Sequence, residues 1–222
     1  VIPRAQGCCG ALALHTGDYE RARDLAANNL EVFPAEVDAI ISNAAGCGSS
    51  MHEYPLLFKG TELEEGALHF SATVRDISVF LNEITLEEIP DPGRELNIAY
   101  HDACHLSHAQ GVTQEPRTLL SQIPNLNLIP IPDGDICCGS AGSYNLEHPE
   151  IANQIGNLKA SNIIQTNADL VISGNIGCLV QIRNHLSNFN GNGVENASDI
   201  PVLHTIELID LAYKNLISSI FS

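Results

Sequence analysis

The sequence predicts an α/β fold built from two pseudo-repeated modules, with mainly parallel sheets flanked by helices and the first module N-terminally truncated. Three observations predict it. The triplet Cys8-Cys9-Gly10 recurs as Cys137-Cys138-Gly139. Each triplet is followed by a helical stretch and then by a shared string, Asp-x-x-Ile-Ser-x-x-x-Gly-Cys, at Asp38–Cys47 and again at Asp169–Cys178. The spacing also repeats: 37 residues separate Cys9 from Cys47 and 39 separate Cys138 from Cys178, a difference a loop absorbs easily.

The elements follow in chain order. Residues 18–32 (DYERARDLAANNLEV) are rich in Ala, Leu, Glu and Arg and suit a helix. Ala39-Ile40-Ile41, a short apolar run, reads as a buried strand. Phe70, Val74, Ile77, Leu81 and Ile84 recur at helical spacing and predict one amphipathic connecting helix. Pro90-Asp91-Pro92-Gly93 marks a turn and a boundary, giving modules over residues 1–92 and 93–222.

The second module has a front half of its own. Leu96 to Tyr100 reads as a strand running into His101-Asp102-Ala103-Cys104-His105. A helix over 113–122 and a strand from Leu128 to Ile131 lead to Cys137. Pro149 opens a helix with Ile151, Ile155 and Leu158 at helical spacing, and Leu170-Val171-Ile172 is the next strand. The Asn- and Gly-rich segment 188–196 reads as a surface loop, and a last helix lies near 205–220. The first module's counterpart of Cys104 would fall before residue 1, which is why that module reads as truncated.

Composition narrows the function classes. The chain has 222 residues, 44% of them hydrophobic, with a mean hydropathy of +0.03, an ordinary globular balance. Lys plus Arg number 10 against 27 Asp plus Glu, a net charge of -17 that disfavours nucleic acid and anionic lipid. No apolar run approaches the roughly 18–20 residues that span a bilayer. The start, Val1-Ile2-Pro3-Arg4, lacks the apolar core of a signal peptide, so the expected compartment is the reducing cytoplasm. The sequon at Asn196 therefore reads as loop.

Seven cysteines is an odd number and argues against a closed set of disulfides. The second module offers Cys104, Cys137, Cys138 and Cys178; the first offers Cys8, Cys9 and Cys47. Soft thiolates converging from several loops are what an iron–sulfur cluster requires. Strands followed by cysteines in a parallel sheet would bring them to one edge. An isolated buried cysteine is usually a small hydrophobe, but two matched triplets with matched Gly-Cys partners are not isolated. Structural zinc sites favour CxxC-type pairs, whereas Ser50 and Gln181 stand three residues after Cys47 and Cys178. A zinc-stabilised interaction module stays open. His101, His105 and His108 flank Cys104, and His15 follows the first triplet. They could ligate iron, tune it, or orient backbone.

The strings Gly7-Cys8-Cys9-Gly10-Ala11-Leu12-Ala13-Leu14-His15-Thr16-Gly17, Tyr100-His101-Asp102-Ala103-Cys104-His105-Leu106 and Cys137-Cys138-Gly139-Ser140-Ala141-Gly142-Ser143-Tyr144-Asn145 resemble the cysteine-rich (CCG) domain family. That family is shared by heterodisulfide reductase B-type subunits and by iron–sulfur subunits of glycolate oxidase, and the resemblance to the latter is greatest. It implies an electron-relay subunit of a flavin-dependent 2-hydroxy-acid oxidase or dehydrogenase. A [4Fe–4S] cluster, cubane or noncubane, would sit on Cys104, Cys137, Cys138, Cys178, Cys8, Cys9 and Cys47. FAD would belong to a flavoprotein partner subunit, and any inner-membrane association would run through partners. Fully equipped relatives use five thiolates per module, and this sequence departs from that pattern at Ser50 and Gln181. A heterodisulfide-reductase-like thiol/disulfide redox subunit is the alternative.

Overall fold

The computed structural model describes residues 1–189 and 197–221, so most of the predicted 188–196 loop and Asn196 of the sequon lie outside the described residues. The stretch predicted as the first module holds α1 (Ala11–His15), α2 (Tyr19–Val32), β1 (Ile40–Ser42), α3 (Ala45–His52), α4 (Tyr54–Leu57), α5 (Glu64–Thr73), β2 (Val74–Asp76) and α6 (Ile77–Glu83). The second comprises β3 (Leu96–His101), α7 (Cys104–Ser107), α8 (Glu115–Leu120), β4 (Leu126–Ile129), α9 (Tyr144–Glu147), α10 (Pro149–Ile164), β5 (Leu170–Ser173), α11 (Ile176–Ser187), β6 (Val202–His204) and α12 (Thr205–Tyr213).

Every strand pairing among the described residues is parallel. β1 pairs with β2, and the second sheet runs β4-β3-β5-β6. Parallel strands connected by helices are covered on both faces, so they are apolar throughout rather than alternating. β5 shows this: Leu170 and Ile172 pack with Leu119, Leu120, Leu208 and Ile209 of α8 and α12, while Val171 packs with Ile163, Leu179 and Ile182 of α10 and α11. A smaller core joins Ala22, Ala26, Ile40, Tyr54, Phe70 and Val74 in the first module.

The two shared strings both form a strand that feeds a helix, β1 into α3 and β5 into α11. The order β1–α3–β2–α6 matches β5–α11–β6–α12, with α4 and α5 added between α3 and β2. One expectation is overturned: residues 70–84 are not one connecting helix. α5 ends at Thr73, Val74-Arg75-Asp76 pairs with β1, and α6 begins again at Ile77. Asp76 restarts the chain as a helix by accepting the Ser78 backbone N–H at 2.8 Å. The strand expected at 128–131 lies two residues earlier, at Leu126–Ile129. The helix starting at Pro149 forms, yet Ile151 and Leu158 point to solvent and the face against the core is Ala152, Gly156, Ala160 and Ile163.

The two sheets meet through their C-terminal ends. The Ala45 N–H donates to the Gly174 carbonyl at 3.3 Å, and Gln110 Nε2 donates to the Ala45 carbonyl at 2.9 Å. The two cysteine-bearing helix starts, of α3 and α7, therefore face one another.

Candidate metal centre

Each Cys-Cys-Gly loop is bent by its glycine. Gly10 and Gly139 have φ of 85° and 92°, and a Cβ there would meet the backbone oxygen of Ala22 at 3.2 Å or of Ala152 at 2.6 Å. No other residue type combines that backbone with that proximity to the neighbouring helix. The turn aims a backbone N–H at the first thiol of each pair: Gly10 to Cys8 Sγ at 3.5 Å, and Gly139 to Cys137 Sγ at 3.3 Å.

In the second module the structure brings together Cys104, Cys137, Cys138 and Cys178. Cys104 opens α7, Cys178 lies in the first turn of α11, and the Cys137-Cys138 loop enters between them. The Cys104 thiol donates to Cys137, and the Cys138 thiol interacts with both Cys137 and Cys178. These donors push the Cys137 thiol far below the usual thiol range, and Cys178 down to about 5. Cys104 and Cys138, which supply those protons and are removed from water, are raised. Asn175 Nδ2 adds a further donor to Cys178 at 3.4 Å. A metal that takes all four as thiolates displaces the protons held by Cys104 and Cys138.

The imidazole of His101 joins this group. Donor atoms of His101, Cys138 and Cys178 lie within 4.8 Å of one another, and all three residues are buried. Lys159, fully enclosed, donates to the Gly134 carbonyl at 3.0 Å; its charge lies where Cys137 and Cys138 act on it electrostatically. Arg117 grips both Asp102 carboxylate oxygens at 2.8 and 2.6 Å and holds the loop between β3 and α7. A cavity of about 270 Å³ opens beside Cys104 and Cys137, with Arg117, His108 and Asp135 in its wall.

The first module brings together Cys8, Cys9 and Cys47. Cys9 donates to Cys47, lowering it to about 7 and raising Cys9 itself. Asn29 accepts the Gly7 N–H at 3.1 Å and donates to the Cys8 carbonyl at 3.2 Å, while the Tyr54 hydroxyl donates to the Cys9 carbonyl at 2.9 Å. Ser50 is buried and its hydroxyl has no hydrogen-bond partner; Gln181 instead meets Asn145 at 3.4 Å and His185 at 3.1 Å. The two cysteine groups approach through His15 and His105, whose ring centroids are 5.6 Å apart, and His105 Nδ1 lies 3.5 Å from Cys104 Sγ.

All seven cysteines are free, in two groups, with backbone N–H donors and helix starts around the sulfurs. Such a soft, anionic donor set suits iron–sulfur chemistry. The sequence alone does not single out Asn29, Tyr54, Asn175 or Lys159. They are polar residues far from the motifs along the chain, or without a pattern of their own, and only packing brings them to the loops.

The model of the cysteine-rich domain (CCG) family matches residues 1–52 and 98–183. The chain is 37% identical over 187 residues to a probable glycolate oxidase iron–sulfur subunit of Bacillus subtilis, covering 82% of this chain and 42% of that protein. It is 34% identical over 215 residues to a fumarate reductase (CoM/CoB) subunit of Methanothermobacter marburgensis, covering 96% and 40%. It is 31% identical over 213 residues to the glycolate oxidase iron–sulfur subunit of Escherichia coli, covering 94% and 49%. The chain thus spans less than half the length of each of these relatives.

Proposed function

Because the chain belongs to the cysteine-rich domain family, we propose that it is the cluster-bearing part of an iron–sulfur electron-transfer subunit in a flavin-dependent 2-hydroxy-acid oxidase or dehydrogenase, glycolate being the first substrate to test. The single observation that carries the reading is the convergence of two thiol groups, Cys104/Cys137/Cys138/Cys178 and Cys8/Cys9/Cys47, on facing sheet edges. The modules over 1–92 and 93–222 would each present one group. The chain would work in the reducing cytoplasm and reach the inner membrane through its partners. Among the described residues no helix is long and apolar enough to cross a membrane.

When bound, an iron–sulfur cluster of [4Fe–4S] type supplies one-electron carriage, and the hydride chemistry belongs to FAD on the partner. This chain's residues do the holding. The seven sulfurs would anchor the iron; Gly10, Gly139 and Asn175 donate to sulfur and lower the energy of the thiolate form. Lys159 offsets part of the buried negative charge, and Arg117 with Asp102 keeps the Cys104 loop in place. His15 and His105 meet between the two groups, with ring centroids 5.6 Å apart.

The test uses the full-length subunit, loaded anaerobically and mixed with its flavoprotein partner. Glycolate should bleach the visible iron–sulfur absorbance, with no bleaching when the flavoprotein is left out. Bleaching by dithionite but never by glycolate or another 2-hydroxy acid would remove the 2-hydroxy-acid reading. A second reading, a thiol/disulfide redox subunit, is favoured by the open cavity beside Cys104 and Cys137 and by the similarity to the CoM/CoB fumarate reductase subunit. Reoxidation of the reduced cluster by a mixed disulfide distinguishes it.

A further inference from the structure

We propose that His101 is a direct nitrogen ligand of the cluster held by the second module, so that this site is built from four thiolates and one imidazole; the inference rests on the iron–sulfur reading above. The ring is placed by a strand rather than by a loop. His101 is the last residue of β3, in register with Ser173 of β5, and β5 leads five residues later to Cys178. The residue is only 1% exposed. Its Nδ1 has no hydrogen-bond partner, and the imidazole lies against the thiol group that holds Cys138 and Cys178.

The large majority of buried side-chain polar atoms have a hydrogen-bond partner. Here Nδ1 is unpaired, and a ring nitrogen and the two sulfurs of Cys138 and Cys178 lie within 4.8 Å of one another, a spacing at which one metal ion can be held between them. Among the described residues this is the one group of three His, Cys, Asp or Glu donors drawn that close. The other histidines differ: His204 also has an unpartnered ring nitrogen, Nε2, but belongs to no such donor group. His105 is half-buried, meets Cys104 Sγ and lies with its ring tilted against that of His15, while His108 lines the open cavity. Charge points in the same direction. Four thiolates bound to iron would load this sheet edge with negative charge, against which Lys159 is the enclosed cation; a neutral imidazole would add a bond to iron without adding charge. Imidazole in place of thiolate also raises a cluster's reduction potential.

The competing reading is that His101 only donates a hydrogen bond to Cys178, as a positioning residue. The two are separated on the anaerobically reconstituted chain, reduced with dithionite and grown with natural or ¹⁵N-labelled histidine. Pulsed EPR should show a strong nitrogen coupling that changes with the label and disappears in His101→Gln and His101→Cys. His101→Cys should keep the iron and sulfide content of the parent and lower the midpoint potential, since a thiolate replaces a neutral donor. Thermal unfolding of both variants checks that they fold. Label-independent spectra from a chain that carries iron and sulfide, a coupling only of hydrogen-bond size, or a strong coupling that survives in His101→Gln each overturn ligation by His101. A chain that binds no iron and sulfide at all overturns the iron–sulfur reading itself, and this inference with it.

Discussion

Replacing Cys137 with alanine is expected to remove most of the iron that this chain would bind, and replacing Cys8 to remove much less. Cys137 is central to its group: it accepts hydrogen bonds from the Cys104 and Cys138 thiols and from the Gly139 N–H. Without it Cys104 loses its thiol partner, and three thiolates would remain around an open edge. Each thiolate both neutralises and anchors iron, so the loss exceeds one bond's share. The first group begins with three described thiols, one of them, Cys8, exposed, and has less to lose. Iron by elemental analysis and visible absorbance, measured after anaerobic reconstitution of wild type and each variant, check this. Equal loss from Cys8→Ala and Cys137→Ala would sink the asymmetry.

Gly139→Ala is expected to damage both stability and iron binding. The left-handed backbone costs a residue with a Cβ about 1–2 kcal/mol. The Cβ would also stand 2.6 Å from the Ala152 carbonyl oxygen, which belongs to α10 and cannot swing away. Overpacking of this kind costs about 1–3 kcal/mol. The sum, roughly 2–5 kcal/mol, corresponds to a fall in Tm of about 5–20 °C for a chain of this size. Relief of the contact shifts Cys137 and Cys138, so iron falls too. Gly17→Ala is the control, because its φ of 83° carries the same backbone strain but nothing lies within 4 Å of the added atom. It should lose about 1–2 kcal/mol and keep its iron. Similar losses of iron in the two variants would mean that the tight contact at Gly139 does not position the thiols.

The cysteine constellation was legible because its residues are rare, repeated and tied to glycines whose geometry the structure explains. The strands β1, β3 and β5 were legible as short apolar runs before polar or glycine residues. β2 was not. Its three residues, Val74-Arg75-Asp76, sit inside a run whose apolar positions happen to keep helical spacing, and only pairing with β1 decides between the two. β6 was hidden for a similar reason, as three residues directly ahead of α12. In α10 the apolar Ile151 and Leu158 suggested a buried face, whereas the helix packs through Ala152, Gly156 and Ala160, small residues that allow close approach to α11. His101 was one of three histidines around Cys104 that spacing alone could not rank; the register of β3 against β5 sets it apart.

The measurement that bears most directly on the central claim is the iron and acid-labile sulfide content of the anaerobically purified chain, with zinc determined on the same sample. Two convergent thiol groups built for iron–sulfur chemistry predict iron and sulfide together, in comparable amounts, with little zinc. Zinc without sulfide, or seven thiols that titrate freely with no metal bound, would contradict it and leave the zinc-stabilised module or a plain cysteine-rich core.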